Sequence, residues 1–316
     1  MSVLRNGAAE SNVRAIRIDG LADYEEVLMN KATTPSSGWK NPSYSNTRGS
    51  EYLAESLCRG NRLRQLVAQG LALGTFVIEL PSPATLEVLS IAGFDFVVLD
   101  MEHSGIGISR LESLISAGRA AGLIVLVRTL GHDSALIGKV LDMGAHGIMA
   151  PHVDTPERAM EVVQAARFSP AGSRGFSPLS KFDALMEPLE TVGNSTYVIV
   201  QIEGRQAIER VDEIAATPGI DAIFIGPYDL SLSLGVTPGG PEVRAAAERV
   251  AEILPTNVSL GLYIDDPAES AKWAAGRFAL QCVSFDGRML ARGARHIVRS
   301  ARQDSPEHSD EGEERG

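Results

Sequence analysis

The sequence predicts an α/β chain closed into a (β/α)8 TIM barrel, and three observations predict it. Eight short runs rich in β-branched residues lie between residues 74 and 284. They are nearly continuous apolar stretches, as expected for parallel strands covered on both faces, and do not alternate with period two. Helical patterns separate them, and the whole repeat occupies about 240–250 residues, the usual size of such a barrel. A doubly wound open sheet is the competitor. It calls for a glycine-rich phosphate-binding turn after the first strand, and residues 75–83 (TFVIELPSP) offer none.

The strand runs are, in order, residues 74–79, 94–100, 124–128, 147–150, 197–203, 221–226, 258–263 and 279–284. Between the second and third, Leu111, Leu114 and Ile115 fall at helical spacing within 109–122, and Gly118 continues that face. After the fourth, Thr155 is placed to cap a helix, with Pro156 in the first position, where no N–H is needed, and Glu157 in the first turn. The last pattern, 288–302 (RMLARGARHIVRSAR), lines up Met289, Leu290, Ala294, Ile297 and Val298 as an apolar stripe that needs a partner surface.

Composition divides the chain into residues 1–50, 51–302 and 303–316. The first zone is rich in Ser, Asn, Thr and Gly and reads as a partly disordered extension; the middle zone holds the barrel. The last is an acidic tail with six acids against Arg315. Over 316 residues, 40 acidic against 29 basic groups give a net charge of −11. That balance opposes nucleic acid and anionic membranes, which need a basic face. No apolar run reaches the ~18–20 residues of a membrane span, and the first thirty residues carry no secretory pattern. Cys58 and Cys282 are too few to staple the fold. These features predict a cytoplasmic protein whose partners are small molecules.

In a barrel of this kind, reactive groups stand where strands end and the following loops begin. The second strand ends FVVLDMEHSG, leaving Asp100, Glu102 and His103 at its exit. The third ends at Arg128, the fifth at Gln201 and Glu203, and the sixth at Gly226, Pro227 and Asp229. Each charge after an apolar strand is costly to bury without a partner, and four such exits on one face mark a site. Glu203, Asp229 and a neutral Gln form a hard-oxygen donor set suited to Mg²⁺ or Mn²⁺. Zinc is disfavoured, because no HxxxH or CxxC spacing exists. Asp100 beside His103 suggests a base with its orienting carboxylate. His132, His146, His152, His296 and His308 read as loop or core histidines. None of the five lysines (Lys31, Lys40, Lys139, Lys181, Lys272) follows a strand, which closes the Schiff-base route.

VLDMEH at 98–103, GAHGIMAPHV at 144–153, FSPAGSRG at 168–175, QIEGR at 201–205 and IGPYDLS at 225–231 resemble, in order, the motifs of the HpcH/HpaI aldolase family. The resemblance covers about residues 61–302. It implies a class II pyruvate aldolase that uses Mg²⁺, Mn²⁺ or Co²⁺ to cleave or form a 4-hydroxy-2-oxo acid. Glu203 and Asp229 match the family's metal ligands, His103 its base, Asp100 the orienting acid, and Glu102 a group behind the ligands. Arg128 matches the arginine at the pyruvyl group and Gln201 the amide beside it; the turn of Gly226, Pro227, Tyr228 and Asp229 matches the one that receives the carboxylate.

The resemblance also implies that Asp142 completes a neighbouring subunit's site, and that the last helix is exchanged between barrels in a homohexamer, a trimer of dimers. Asp142 falls at the end of a helix, where the macrodipole disfavours an anion. Two departures stand out: the first 50–60 residues have no counterpart, and Tyr228 stands where many relatives carry a small residue. The same enolate chemistry also admits an oxaloacetate decarboxylase or a carbon–carbon bond former like macrophomate synthase. A non-catalytic barrel ranks last, since the site residues are intact.

Overall fold

The computed structural model describes residues 59–176 and 195–303. The expectations for the N-terminal extension, the acidic tail beyond Gln303, Cys58 and Lys181 lie outside the described residues. No described helix is long and apolar enough to cross a membrane.

Eight parallel strands close in sequence order: β1 (Ala72–Val77), β2 (Phe96–Asp100), β3 (Ile124–Arg128), β4 (Gly147–Ala150), β5 (Tyr197–Ile202), β6 (Ala222–Ile225), β7 (Ser259–Ile264) and β8 (Leu280–Phe285), with β8 back on β1. Each lies within two residues of its apolar run at both ends, because burial on both faces demands continuous hydrophobicity. Successive side chains then sort into two cores. Phe76, Phe96, Val98, Leu126, Met149, Ile199, Phe224 and the free Cys282 fill the barrel interior. Val97, Leu99, Val125, Val127, Val198 and Val200 point outward to the helices.

The described helices are α1 (Arg59–Ala68), α2 (Pro83–Ile91), α3 (Ile108–Ala120), α4 (Ser134–Asp142), α5 (Pro156–Ala166), α6 (Arg205–Glu209), α7 (Val211–Ala215), α8 (Pro227–Leu234), α9 (Pro241–Ile253), α10 (Ser270–Ala275) and α11 (Asp286–Gln303). Thr155 caps α5 as expected: its hydroxyl accepts from the Arg158 N–H at 3.3 Å, with Pro156 next in the chain. Lys139 and Lys272 lie in α4 and α10, away from the strand ends. Met289 at the start of the α11 stripe packs against the barrel core, and the rest of the stripe is left open, with Leu290 61% and Ile297 67% exposed.

At the strand amino ends the charges close on themselves. Asp221 meets Arg64 at 2.8 Å and Arg167 at 2.9 Å, and accepts the Val198 N–H at 2.7 Å. At the other end the buried Asp286 ties β8 to the loop after β1 by accepting from the N–H groups of Ile78, Glu79 and Leu80 at 3.1, 3.2 and 2.7 Å.

Candidate active site

The carboxyl ends of β2, β3, β4 and β5 converge on one cluster of charge. Parallel register sets Asp100 directly beside Arg128, and their side chains meet as a two-pronged pair: Nε to Oδ1 at 2.8 Å and Nη2 to Oδ2 at 2.7 Å. The third guanidinium nitrogen, Nη1, lies 3.3 Å from Glu102 Oε2. Arg128 is buried, with its guanidinium 4.8 Å over the Phe76 ring. Burial works against its charge, but the Asp100 hydrogen bond and the charges of Asp100, Glu102 and Glu203 outweigh it, and its pKa is raised.

On β5, Gln201 and Glu203 sit two residues apart and so face the same side. Gln201 Nε2 donates to Glu203 Oε2 at 2.5 Å, while Gln201 Oε1 is buried with no hydrogen-bond partner among the described residues. Burial pushes the Glu203 carboxyl up to about 7, against the His152 N–H bond and imidazole, which lower it, and with Asp229 and Glu102 adding to the rise. Gly226 closes the wall by close approach: a Cβ there would stand 2.4 Å from Glu203 Oε2 and 2.6 Å from Gln201 Nε2.

Two features differ from the sequence expectation. The pairing of Asp100 with His103 is not formed. The Asp100 carboxylate is taken by Arg128 and by the Glu102 N–H at 3.0 Å, and His103, half exposed, approaches Glu102 instead, at 3.6 Å. Strand register decides this: Arg128 is beside Asp100 in the sheet, whereas His103 is already out on the loop. The second feature is His152, set aside in the sequence as a loop histidine. Its Nε2 lies 3.1 Å from Glu102 Oε1 and its Nδ1 3.0 Å from Glu203 Oε1. The signal that could have found it is position, since it follows the end of β4 by two residues, as Glu102 follows β2.

Glu102, His152 and Glu203 are the described group whose donor atoms lie within 4.8 Å of one another. Asp229 stands outside that triplet, in the first turn of α8, close enough for its charge to act on Glu203. The donor set fits a divalent cation. Acids crowd a buried carboxylate, an amide oxygen beside them lacks a partner, and oxygen-rich sites suit such ions.

Tyr228 turns away from this cluster. Its ring packs 5.6 Å from that of Tyr263, and its hydroxyl is 3.1 Å from Arg288 Nη1, on the β7–β8 side of the mouth. Asp142 ends α4 as expected, and a cation in the same chain compensates it: Arg174 Nη2, 2.7 Å away, on a side chain that is itself buried.

A (β/α)8 barrel with an acid- and arginine-lined mouth at its strand ends has the architecture of a barrel enzyme. The family model for HpcH/HpaI aldolase/citrate lyase matches residues 74–292, and the chain belongs to that aldolase/lyase family. It is 34% identical over 240 residues to a hydroxypyruvate/pyruvate aldolase of Deinococcus radiodurans, covering 74% of this chain and 87% of the relative. Among solved structures, a family member from Burkholderia cenocepacia superposes with a TM-score of 0.71 at 32% identity, over 77% of this chain and 99% of that one. Macrophomate synthase superposes with a TM-score of 0.68 at 27% identity, over 76% and 89%.

Proposed function

We propose that the protein is a divalent-metal-dependent aldolase that cleaves or forms a 4-hydroxy-2-oxo acid, with pyruvate and an aldehyde on the other side. The observation that carries this reading is Glu203: a carboxylate buried beside Glu102, its charge felt by Arg128, in a chain of an aldolase family. Glu203 and Asp229 would hold Mg²⁺, Mn²⁺ or Co²⁺. When bound, the ion supplies Lewis-acid polarisation of the 2-oxo acid's oxygens.

The chain's own groups do the rest. Pro227 has no N–H, so the first turn of α8 offers the N–H groups of Tyr228 and Asp229 to the substrate carboxylate. Gln201 orients the oxo group. His103, half exposed at the rim, takes the proton of the C4 hydroxyl, directly or through water. The C3–C4 bond then breaks, its electrons forming the enolate double bond of pyruvate while the aldehyde leaves; a proton returned to C3 completes pyruvate. Arg128, held in plane by Asp100, sets positive charge where the enolate oxygen gains negative charge.

A second reading keeps the enolate and changes its source or fate: oxaloacetate decarboxylation or carbon–carbon bond formation. The likeness to macrophomate synthase favours keeping it. Pyruvate release from a panel of 4-hydroxy-2-oxo acids and from oxaloacetate, with and without Mg²⁺, Mn²⁺ or Co²⁺, tests both. Ion-dependent release from hydroxy acids supports the aldolase. Release from oxaloacetate alone, undiminished in His103→Ala, assigns the decarboxylase, because decarboxylation needs no base at a hydroxyl.

The reading extends to a cytoplasmic homohexamer, a trimer of dimers, in which α11 packs on a neighbouring barrel and Asp142 reaches a neighbour's site. The exposed apolar residues of α11 support the exchange. Mixing Asp142→Ala with His103→Ala subunits should restore part of the activity if the two residues share one site. No restoration, or a fully active monomer, sinks that extension.

A further inference from the structure

We propose that His152 is a third protein ligand of the divalent ion, adding the imidazole nitrogen Nδ1 to the carboxylates of Glu203 and Asp229, with Glu102 holding the ring from its far side. The inference rests on the metal-dependent reading above and adds to it a nitrogen donor.

Three observations carry it. The first is the backbone. His152 has φ +52°, the left-handed region that a residue with a Cβ rarely enters. The chain is pinned there from both sides: the Pro151 carbonyl bonds His132 Nε2 at 2.7 Å, and the Val153 N–H donates to the Gln201 carbonyl at 3.1 Å. A strained residue held this firmly at a strand end points to use in the site.

The second is what the conformation achieves. It folds the His152 N–H onto Glu203 Oε1 at 2.8 Å and brings Nδ1 to 3.0 Å from the same oxygen. Two donors bound side by side on an octahedral ion with bonds of about 2.1 Å lie about 3.0 Å apart, so Nδ1 and Oε1 already have the spacing of adjacent ligands. The third is the other nitrogen. A ligating imidazole typically gives its second N–H to a carboxylate, which fixes the tautomer and raises the basicity of the ligating atom. Nε2 stands 3.1 Å from Glu102 Oε1, and the ring is half exposed. An oxygen-only set would suit Mg²⁺; an added nitrogen moves preference toward Mn²⁺ and, more strongly, Co²⁺.

The test uses the full chain stripped of metal and titrated with MgCl₂, MnCl₂ or CoCl₂ alone, in wild type and in His152→Gly. Glycine accepts the positive φ and brings no donor. Pulsed electron paramagnetic resonance of the Mn²⁺-loaded wild type should show coupling to a histidine nitrogen, altered by ¹⁵N-histidine labelling and lost in His152→Gly. The preference for Co²⁺ over Mg²⁺, taken as a ratio of dissociation constants, should fall at least about tenfold in the variant. A bound ion with no nitrogen coupling, or affinity for Co²⁺ unchanged or raised in His152→Gly, overturns the ligand role and leaves the aldolase reading standing. Failure of every ion to bind overturns both.

Discussion

The two ends of the barrel both bury charge, and they balance it differently. At the strand amino ends, one acid, Asp221, is shared by Arg64 and Arg167 and by the Val198 N–H, so its oxygens are taken by partners fixed in the chain. At the carboxyl ends, Asp100, Glu102 and Glu203 share Arg128, whose fork is already committed to Asp100, and Asp229 adds its charge beside Glu203. The first arrangement is complete within the chain and can serve stability alone. The second leaves an excess of negative charge around a buried carboxylate, which a stable fold alone does not require. The difference separates a structural network from a site.

Substitutions at the two ends should therefore fail in different ways. The largest effect is expected for Glu203→Gln or Asp229→Asn: turnover falls by about two to three orders of magnitude with loss of divalent-ion affinity, while the fold survives, with a melting temperature no lower than that of the ion-free wild type. Steady-state kinetics beside metal titration checks it, and a variant that keeps both would erase the distinction. Next is Arg128→Lys, expected to lower kcat about a hundredfold in aldol cleavage and in oxaloacetate decarboxylation alike. A point charge cannot replace a planar fork that meets Asp100 with two nitrogens. Equal activity in both reactions would make Arg128 a structural ion pair like those below.

Asp221→Asn should do the reverse, costing about 2–4 kcal/mol in denaturant unfolding and leaving kcat of the folded fraction unchanged. The smallest effect sharpens the contrast through pH. The Glu203 carboxyl lies at about 7 in the folded chain against an ordinary 4.5, so the folded state holds its proton more tightly. That contribution is fully present below pH 4.5 and is lost as pH rises through 7, about 3 kcal/mol in all. Relative to Glu203→Gln, the ion-free wild type should lose stability between pH 5 and 8. A saturating divalent ion should raise the melting temperature more at pH 8 than at pH 5, since the ion needs the carboxylate ionised. Equal shifts at both pH values would contradict that account.

Much of this was legible in the sequence, for a physical reason. Strands covered on both faces must be apolar throughout, so eight runs such as FVVLD and VIVQI declare themselves, and a charge just past them is conspicuous. Asp100, Glu102, Arg128, Gln201 and Glu203 stood out on that ground, and the structure brings them together. Their partners were another matter. That Asp100 takes Arg128 depends on the register of β2 against β3, which neighbouring residues in the chain do not encode. His152 reads as a loop histidine in the sequence because its place in the cluster depends on a positive φ, a conformation that nothing in MAPHVDT announces. Tyr228 lies in the expected turn, yet the direction of its ring follows from Tyr263 and Arg288, far away in sequence.

The most direct test of the central claim, that the unbalanced charge at the strand carboxyl ends exists to hold a divalent ion for enolate chemistry, is pyruvate release before and after exhaustive chelation. The account predicts that release from the best 4-hydroxy-2-oxo acid of the panel collapses on chelation and returns when Mg²⁺, Mn²⁺ or Co²⁺ is added back. Full activity in the chelated protein would contradict it.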